Sequence, residues 1–178
     1  VKTDVVAEVA KACRKYGLQL GLYYSLWDRH EPSYADHAGY AEYMEKQLTE
    51  LLTNYGDVCE LWCDGGWNRP AAEWHIPELY ALVKKLQPHC VITTNLTISS
   101  AANPNYAPLA SEMKEGDPLR YPPSDFRTKD PSLVRRGDPK LFSLPDGKRR
   151  YLPFEHTLVL SDRWNWFQKQ GITPARST

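Results

Sequence analysis

The stretch Glu60-Leu-Trp-Cys-Asp-Gly-Gly-Trp67 reads as a strand that runs into a sharp turn. Residues 58–64 are rich in apolar side chains and carry an acid, Asp64, at the carboxyl end. Gly65 and Gly66 follow at once, and a glycine pair lets the backbone turn where side chains would clash. Side chains alternate between the two faces of a strand, so Glu60, Trp62 and Asp64 share one face and Leu61 and Cys63 take the other. Asp64 is therefore expected at the C-terminal tip of a strand, where α/β folds bind ligands.

Outward from that strand the pattern alternates. Upstream, Asp4 is placed to cap a first helix with Val6, Val9, Ala10 and Cys13 as its apolar stripe, and Gly17 closes it. Residues 18–26 (LQLGLYYSL) read as a buried strand, because a near-continuous apolar run is what a strand covered on both faces requires. A second helix is expected over 35–55, where Tyr40, Tyr43, Met44, Gln47, Leu48, Leu51, Leu52 and Tyr55 recur at helical spacing. Downstream, residues 77–86 read as a helix, with Pro77 near its start and Pro88 beyond its end. Residues 91–95 read as a third strand. Helices alternating with strands over short connections imply a parallel sheet. No GxGxxG or GxxxxGK[ST] follows a strand, which argues against nucleotide binding.

Residues 96–150 break the alternation. They are long, polar and proline-rich, with nine basic and four acidic side chains between Arg120 and Arg150. A segment of that length reads as a loop-rich insertion. A strand is expected to resume at Tyr151-Leu-Pro-Phe-Glu155, with Tyr151, Pro153 and Glu155 on one face. An aromatic tail follows, Asp162-Arg-Trp-Asn-Trp-Phe167.

Totals narrow the function. The 178 residues suffice for a sizeable core, and 22 basic against 22 acidic side chains leave no net charge. That balance argues against nucleic acid as the partner. No window approaches the roughly 18 apolar residues of a membrane span. Six Trp and eleven Tyr fit a carbohydrate site, since aromatic faces stack on the C–H faces of sugars, although they equally fit a large core. The four cysteines, at 13, 59, 63 and 90, read as buried thiols. The five histidines form neither HxH nor HExxH, so no metal or other cofactor is expected. His37 and His75 are expected at the surface.

Two acids stand at expected strand ends, Asp64 and Glu155. A pair of carboxylates about 5–5.5 Å apart is the machinery of a retaining glycosidase. For Glu155 the competing role is an ion pair with Arg149, Arg150 or Arg163. Glu60 points as Asp64 does, one layer deeper, and reads as a buried charge with a basic partner. His30, after the first strand, is the candidate for a sugar hydroxyl. Ser25 lacks the glycine pattern of a nucleophile elbow.

Three stretches in order, residues 21–30 (GLYYSLWDRH), 47–56 (QLTELLTNYG) and 61–67 (LWCDGGW), resemble the α-L-fucosidases of glycoside hydrolase family 29. The resemblance covers residues 4–95 or so, and its wording is similar to the branch that favours α-1,3/1,4-linked fucose. It implies an α/β fold, a partial (β/α)8 TIM-like barrel of parallel strands with about half of the full barrel in this chain. On this reading residues 1–178 belong to a single catalytic domain, with a His-His-Asp-Gly-Phe strand before residue 1 and further strands after residue 178. The resemblance implies hydrolysis of α-L-fucosides with retention, Asp64 as nucleophile, and sugar contacts at Tyr23 and Trp62. Trp27, Trp67 and Trp166 are further aromatic candidates for substrate contact. Leu-Pro-Phe-Glu155 ahead of an aromatic run is similar to the family's acid/base strand, with Glu112 and Glu115 as rivals. The implied partners are fucosylated oligosaccharides or glycoconjugates, in a secreted, periplasmic or lysosomal setting. A carbohydrate-binding fragment without turnover and an unrelated barrel glycosidase are the competing readings.

Overall fold

The computed structural model describes residues 2–98, 114–130, 136–144 and 146–155. Helix α1 (Val5–Tyr16) starts where the Asp4 carboxylate accepts the Ala7 N–H at 2.9 Å, and ends at Gly17 in the left-handed region, as its sequence signals predict. Strand β1 (Leu20–Ser25), helix α2 (His37–Asn54), strand β2 (Val58–Asp64), helix α3 (Ile76–Leu86) and strand β3 (Val91–Thr94) follow. The three strands form one parallel sheet in the order β1-β2-β3. The α/β class and parallel pairing expected from the alternation are therefore observed.

Register assigns the two faces. Leu22 lies beside Leu61 and Tyr24 beside Cys63, which continue to Ile92 and Thr94. This face meets Tyr40, Met44, Leu48 and Leu52 of α2 and Ile76, Leu79 and Val83 of α3 in the main core. Burying each such leucine contributes about 1.5–3 kcal/mol. The opposite face aligns Tyr23 with Trp62 and Thr93, and Ser25 with Asp64.

Burial departs from expectation at three places. The 18–26 run is not a strand covered on both faces: Leu18 is 65% exposed, and Gly21, Tyr23 and Ser25 lie exposed on one face. Val9, assigned to the buried stripe of α1, is 47% exposed, and Ala10 is the residue of α1 that is fully buried. Among the cysteines, Cys63 and Cys90 are buried, whereas Cys13 and Cys59 are half-buried. All four are free thiols, and burial pushes Cys63 up to about 12, which keeps it protonated.

Beyond β3 the chain builds short strands. Strand β4 (Arg127–Thr128) pairs in parallel with β7 (Phe154–Glu155), and β5 (Leu141–Ser143) pairs antiparallel with β6 (Arg149–Tyr151). The expected single strand over 151–155 is thus two strands in different sheets. Pro153 has no N–H for a ladder, and the chain changes partners around it: Leu152 N–H donates to Lys140 O and Arg127 N–H to Pro153 O. Ile98, Leu119, Phe142 and Leu152 form a second small core under this region.

Side chains join β4 to β3. Thr93 Oγ1 donates to Phe126 O at 2.8 Å, and Thr128 N–H donates to Thr97 Oγ1 at 2.8 Å. Asp125 accepts from Ile92 N–H and from Tyr80 Oη and pairs with Lys84 at 2.7 Å, tying α3, β3 and β4 together.

Candidate active site

Asp64 is the last residue of β2, as its sequence predicts. Gly65 then takes φ +81, and a Cβ there would lie 2.8 Å from Trp27 Cβ, so the turn admits only glycine. Gly66 packs on the buried Tyr121, whose hydroxyl would stand 3.1 Å from an added Cβ. The chain is thereby turned away and the Asp64 side chain is left at the strand tip. Tyr23 Oη donates to Asp64 Oδ2 at 2.6 Å, and Asn95 Nδ2 donates to Asp64 Oδ1 at 3.0 Å. Both carboxylate oxygens are therefore oriented from neighbouring strands. Partial burial, and then the hydrogen bond to Asp64, raise the Tyr23 phenol, so it stays a donor through the neutral range. Its ring stacks on Trp62 with centroids 5.7 Å apart and planes 20° from parallel.

Glu155 reaches the same place from β7. Its strand is fixed by Arg127, a fully buried cation bonded to backbone carbonyls of Leu152 and Pro139 with Phe154 stacked 5.1 Å from its guanidinium. Thr128 lies beside Glu155 in the β4–β7 pair. A cavity of about 480 Å3 is lined by Gly21, Leu22, Tyr23, Glu60, Trp62, Asp64, Asp130 and Glu155. The structure thus brings together Asp64, Glu155, Tyr23 and Trp62. Glu155 Oε2 is buried with no hydrogen-bond partner among the described residues. Neighbouring cations are engaged elsewhere: Arg150 pairs with Asp146 at 2.7 Å, and the Arg149 guanidinium lies against Gly116.

Glu60 departs from expectation. It is half-buried on the cavity wall, and the charge acting on it is not a cation but Glu155. Burial first, and Glu155 second, hold its carboxyl above the ordinary glutamate range.

Among the described residues, Trp27, Trp67, His30 and Glu115 do not line this cavity. Trp27 and Trp67 meet edge to face at 6.3 Å, and Arg29 lies 4.5 Å over the Trp27 ring. His30 is exposed, its backbone N–H donating to Asp28 Oδ1. Glu115 accepts from Lys140 N–H and Leu141 N–H, which lowers its carboxyl and gives it a structural task at β5. Glu112, Arg163 and Trp166 lie outside the described residues. Exposed His37 pairs with Glu73 at 3.3 Å, whereas His75 is half-buried and opens α3 from the left-handed region. Among the described residues no cluster of His, Cys, Asp and Glu could hold a metal ion, and no helix is long and apolar enough to cross a membrane.

Sequence reasoning passed over Asn95 and Asp130. Asn95 carried a usable signal, since it ends the 91–95 run at the level where Asp64 ends its own. Asp130 carried none: its place on the cavity wall depends on β4 folding against β3.

Residues 1–123, more than half of the chain, match the family model described as alpha-L-fucosidase. Alpha-L-fucosidase 1 of Arabidopsis thaliana is 45% identical over 91 residues, covering 50% of this chain and 18% of the relative. The alpha-L-fucosidase of Dictyostelium discoideum is 31% identical over 85 residues, covering 42% of this chain and 18% of the relative. The chain therefore spans less than a fifth of the length of the curated relatives it matches. Among solved structures, alpha-L-fucosidase isoenzyme 1 from Paenibacillus thiaminolyticus superposes with a TM-score of 0.66 at 26% identity. That match covers 98% of this chain and 41% of the other.

Proposed function

The chain belongs to the alpha-L-fucosidase family, and from that premise we propose that it furnishes both catalytic carboxylates of a retaining exo-glycosidase acting on terminal α-L-fucosides. The observation that carries this reading is the shared cavity, with Asp64 gripped at both oxygens and Glu155 on the same wall. The parallel strands are then part of a (β/α)8 TIM-like barrel, about half of it in this chain, and residues 1–178 belong to one catalytic domain with 96–150 as an insertion.

In the first displacement Asp64 attacks the anomeric carbon while the bond to the leaving oxygen breaks and Glu155 protonates that oxygen. In the second, Glu155 takes a proton from water, water attacks the same carbon, and the ester to Asp64 breaks to release fucose with its configuration retained. Tyr23 orients the nucleophile, and the Trp62 ring gives the sugar an apolar floor. Trp27, Trp67, His30 and Trp166 are assigned to the outer substrate contacts. The substrates are fucosylated oligosaccharides or glycoconjugates.

The test is Asp64→Gly in the full-length protein. Turnover of an aryl fucoside should fall by orders of magnitude with the fold intact, and azide should restore part of it as an inverted glycosyl azide. Near wild-type turnover in that variant would remove Asp64 from the role. The alternative reading is a fucose-binding unit without turnover. Binding of fucose by a full-length protein that turns over no fucoside would select it.

A further inference from the structure

We infer that Asn95 is a positioning residue that fixes Asp64 and determines which of its oxygens attacks; this rests on Asp64 as the nucleophile. Asn95 follows β3 directly and is 3% exposed. Its amide is saturated. Oδ1 accepts from Leu96 N–H at 2.7 Å and from Asp130 N–H at 3.0 Å. Nδ2 donates to Asp130 O at 3.0 Å and to Asp64 Oδ1 at 3.0 Å. Three of these partners are backbone groups of fixed polarity, so they assign the amide: the reverse orientation would set oxygen against a carboxylate and a carbonyl, and N–H against two N–H donors. The group facing Asp64 is an N–H by necessity.

The backbone supports the same placement. Asn95 N–H donates to Cys63 O at 2.7 Å, locking the tip of β3 beside the residue before Asp64. Leu96, buried and not glycine, adopts φ +65. That conformation is unfavourable for a leucine and persists only where surroundings over-determine it. It turns the Leu96 N–H back onto Asn95 Oδ1. Strained backbone is thus used to hold one side-chain amide against one carboxylate oxygen.

The two Asp64 oxygens are consequently unlike. Oδ1 faces a buried amide with no freedom to move. Oδ2 faces the hydroxyl of Tyr23, a residue 64% exposed at the cavity, which can swing away. Oδ2 is therefore the attacking oxygen. As the Oδ2–carbon bond forms and the bond to the leaving group breaks, Oδ1 becomes the ester carbonyl and keeps the Asn95 N–H throughout. Tyr23 releases Oδ2 in the same step.

The test is inactivation of the full-length protein by a fluorinated fucosyl fluoride, read by mass spectrometry of the labelled peptide. This reagent isolates the attack, because fluoride leaves without an acid. In Asn95→Asp the acceptor oxygen for Leu96 and Asp130 is retained and the donor to Asp64 is lost. We expect the label on Asp64, an unchanged half-saturating concentration, and a maximal inactivation rate lowered about 100-fold, as for loss of one preorganised donor. Asn95→Ala covers the case in which a second carboxylate prevents folding. Labelling of Asp64 at the wild-type rate in a folded variant overturns the role of Asn95 alone. A label on another residue overturns Asp64 as nucleophile and the inference with it. Loss of cooperative unfolding in both variants assigns Asn95 to the fold and also overturns the inference.

Discussion

Two cavities of nearly equal size lie at different places along β1 and β2. One, of about 440 Å3, sits at the strands' N-terminal ends, lined by residues that include Cys13, Arg14, Cys59, Gln87 and His89. The other, of about 480 Å3, runs up one face of the sheet to the tip of β2. Volume does not distinguish them, but the bonding of their polar groups does. In the first, Arg14 donates to Tyr55 O at 2.9 Å, and Gln87 Nε2 donates to Leu52 O at 2.8 Å and Gly56 O at 3.1 Å. Those side chains close turns and helix ends. The second is lined by four carboxylates, Glu60, Asp64, Asp130 and Glu155, and among the described residues by no Lys, Arg or His. Carboxylates gathered in one cavity are costly to fold, and such an arrangement marks groups held for chemistry. Strand polarity points the same way, since ligands of α/β folds bind at the carboxyl ends.

The largest effect that would sharpen this contrast is at Glu155. Glu155→Ala in the full-length protein should spare aryl fucosides with good leaving groups and depress natural oligosaccharides by about 100-fold or more, the usual contribution of a general acid. Only the natural leaving group needs the proton. Equal losses on both substrates would take the acid/base role from Glu155.

At the other cavity the expected effect is on stability. Gln87→Ala removes two donations to carbonyls and the acceptor for Val58 N–H. It should cost about 1–3 kcal/mol, read by chemical denaturation, with kcat unchanged. A Gln87→Ala protein of full stability but impaired turnover would break the contrast and give the N-terminal cavity a functional role.

The two regions also differ in how far they can be read from sequence. The β2 boundary was legible because an apolar run ends at a glycine that must take positive φ, and both signals are local. The α1 cap and stop were legible for the same reason. The start of α2 was not: Glu31 caps a short 3-10 turn over Pro32–Ala35, Asp36 is extended, and the helix begins at His37. Helical periodicity continues through such a turn without marking it. Exposure on β1 escaped because an apolar run says nothing of which face is covered. The division of 151–155 between two sheets escaped because partner choice is tertiary. Asp64, Tyr23 and Trp62 came together as their strand faces require. Asn95 and Arg127 take their roles from backbone groups far away in sequence, to which composition and spacing are blind.

The smallest expected effect is at Glu60, and its sign follows from the carboxylate cavity. Burial and Glu155 raise the Glu60 carboxyl in the folded protein above its unfolded value, so the fold favours the neutral acid. Its favourable contribution is fully present below the ordinary glutamate range near pH 4.3 and is lost as pH rises through the raised folded value. Gln at this position is neutral at every pH and keeps the shape. Glu60→Gln should therefore match the wild type in thermal stability at pH 4 and below, then exceed it at neutral pH. The site is only half-buried and water screens the charge, so the gain should be small, about 1–2 °C in Tm. Thermal melts of both full-length proteins across this range supply the measurement. A wild type more stable than Glu60→Gln at neutral pH would mean that a cation reaches Glu60. The cavity would then hold an ion pair at Glu60 in place of the repulsion between Glu60 and Glu155.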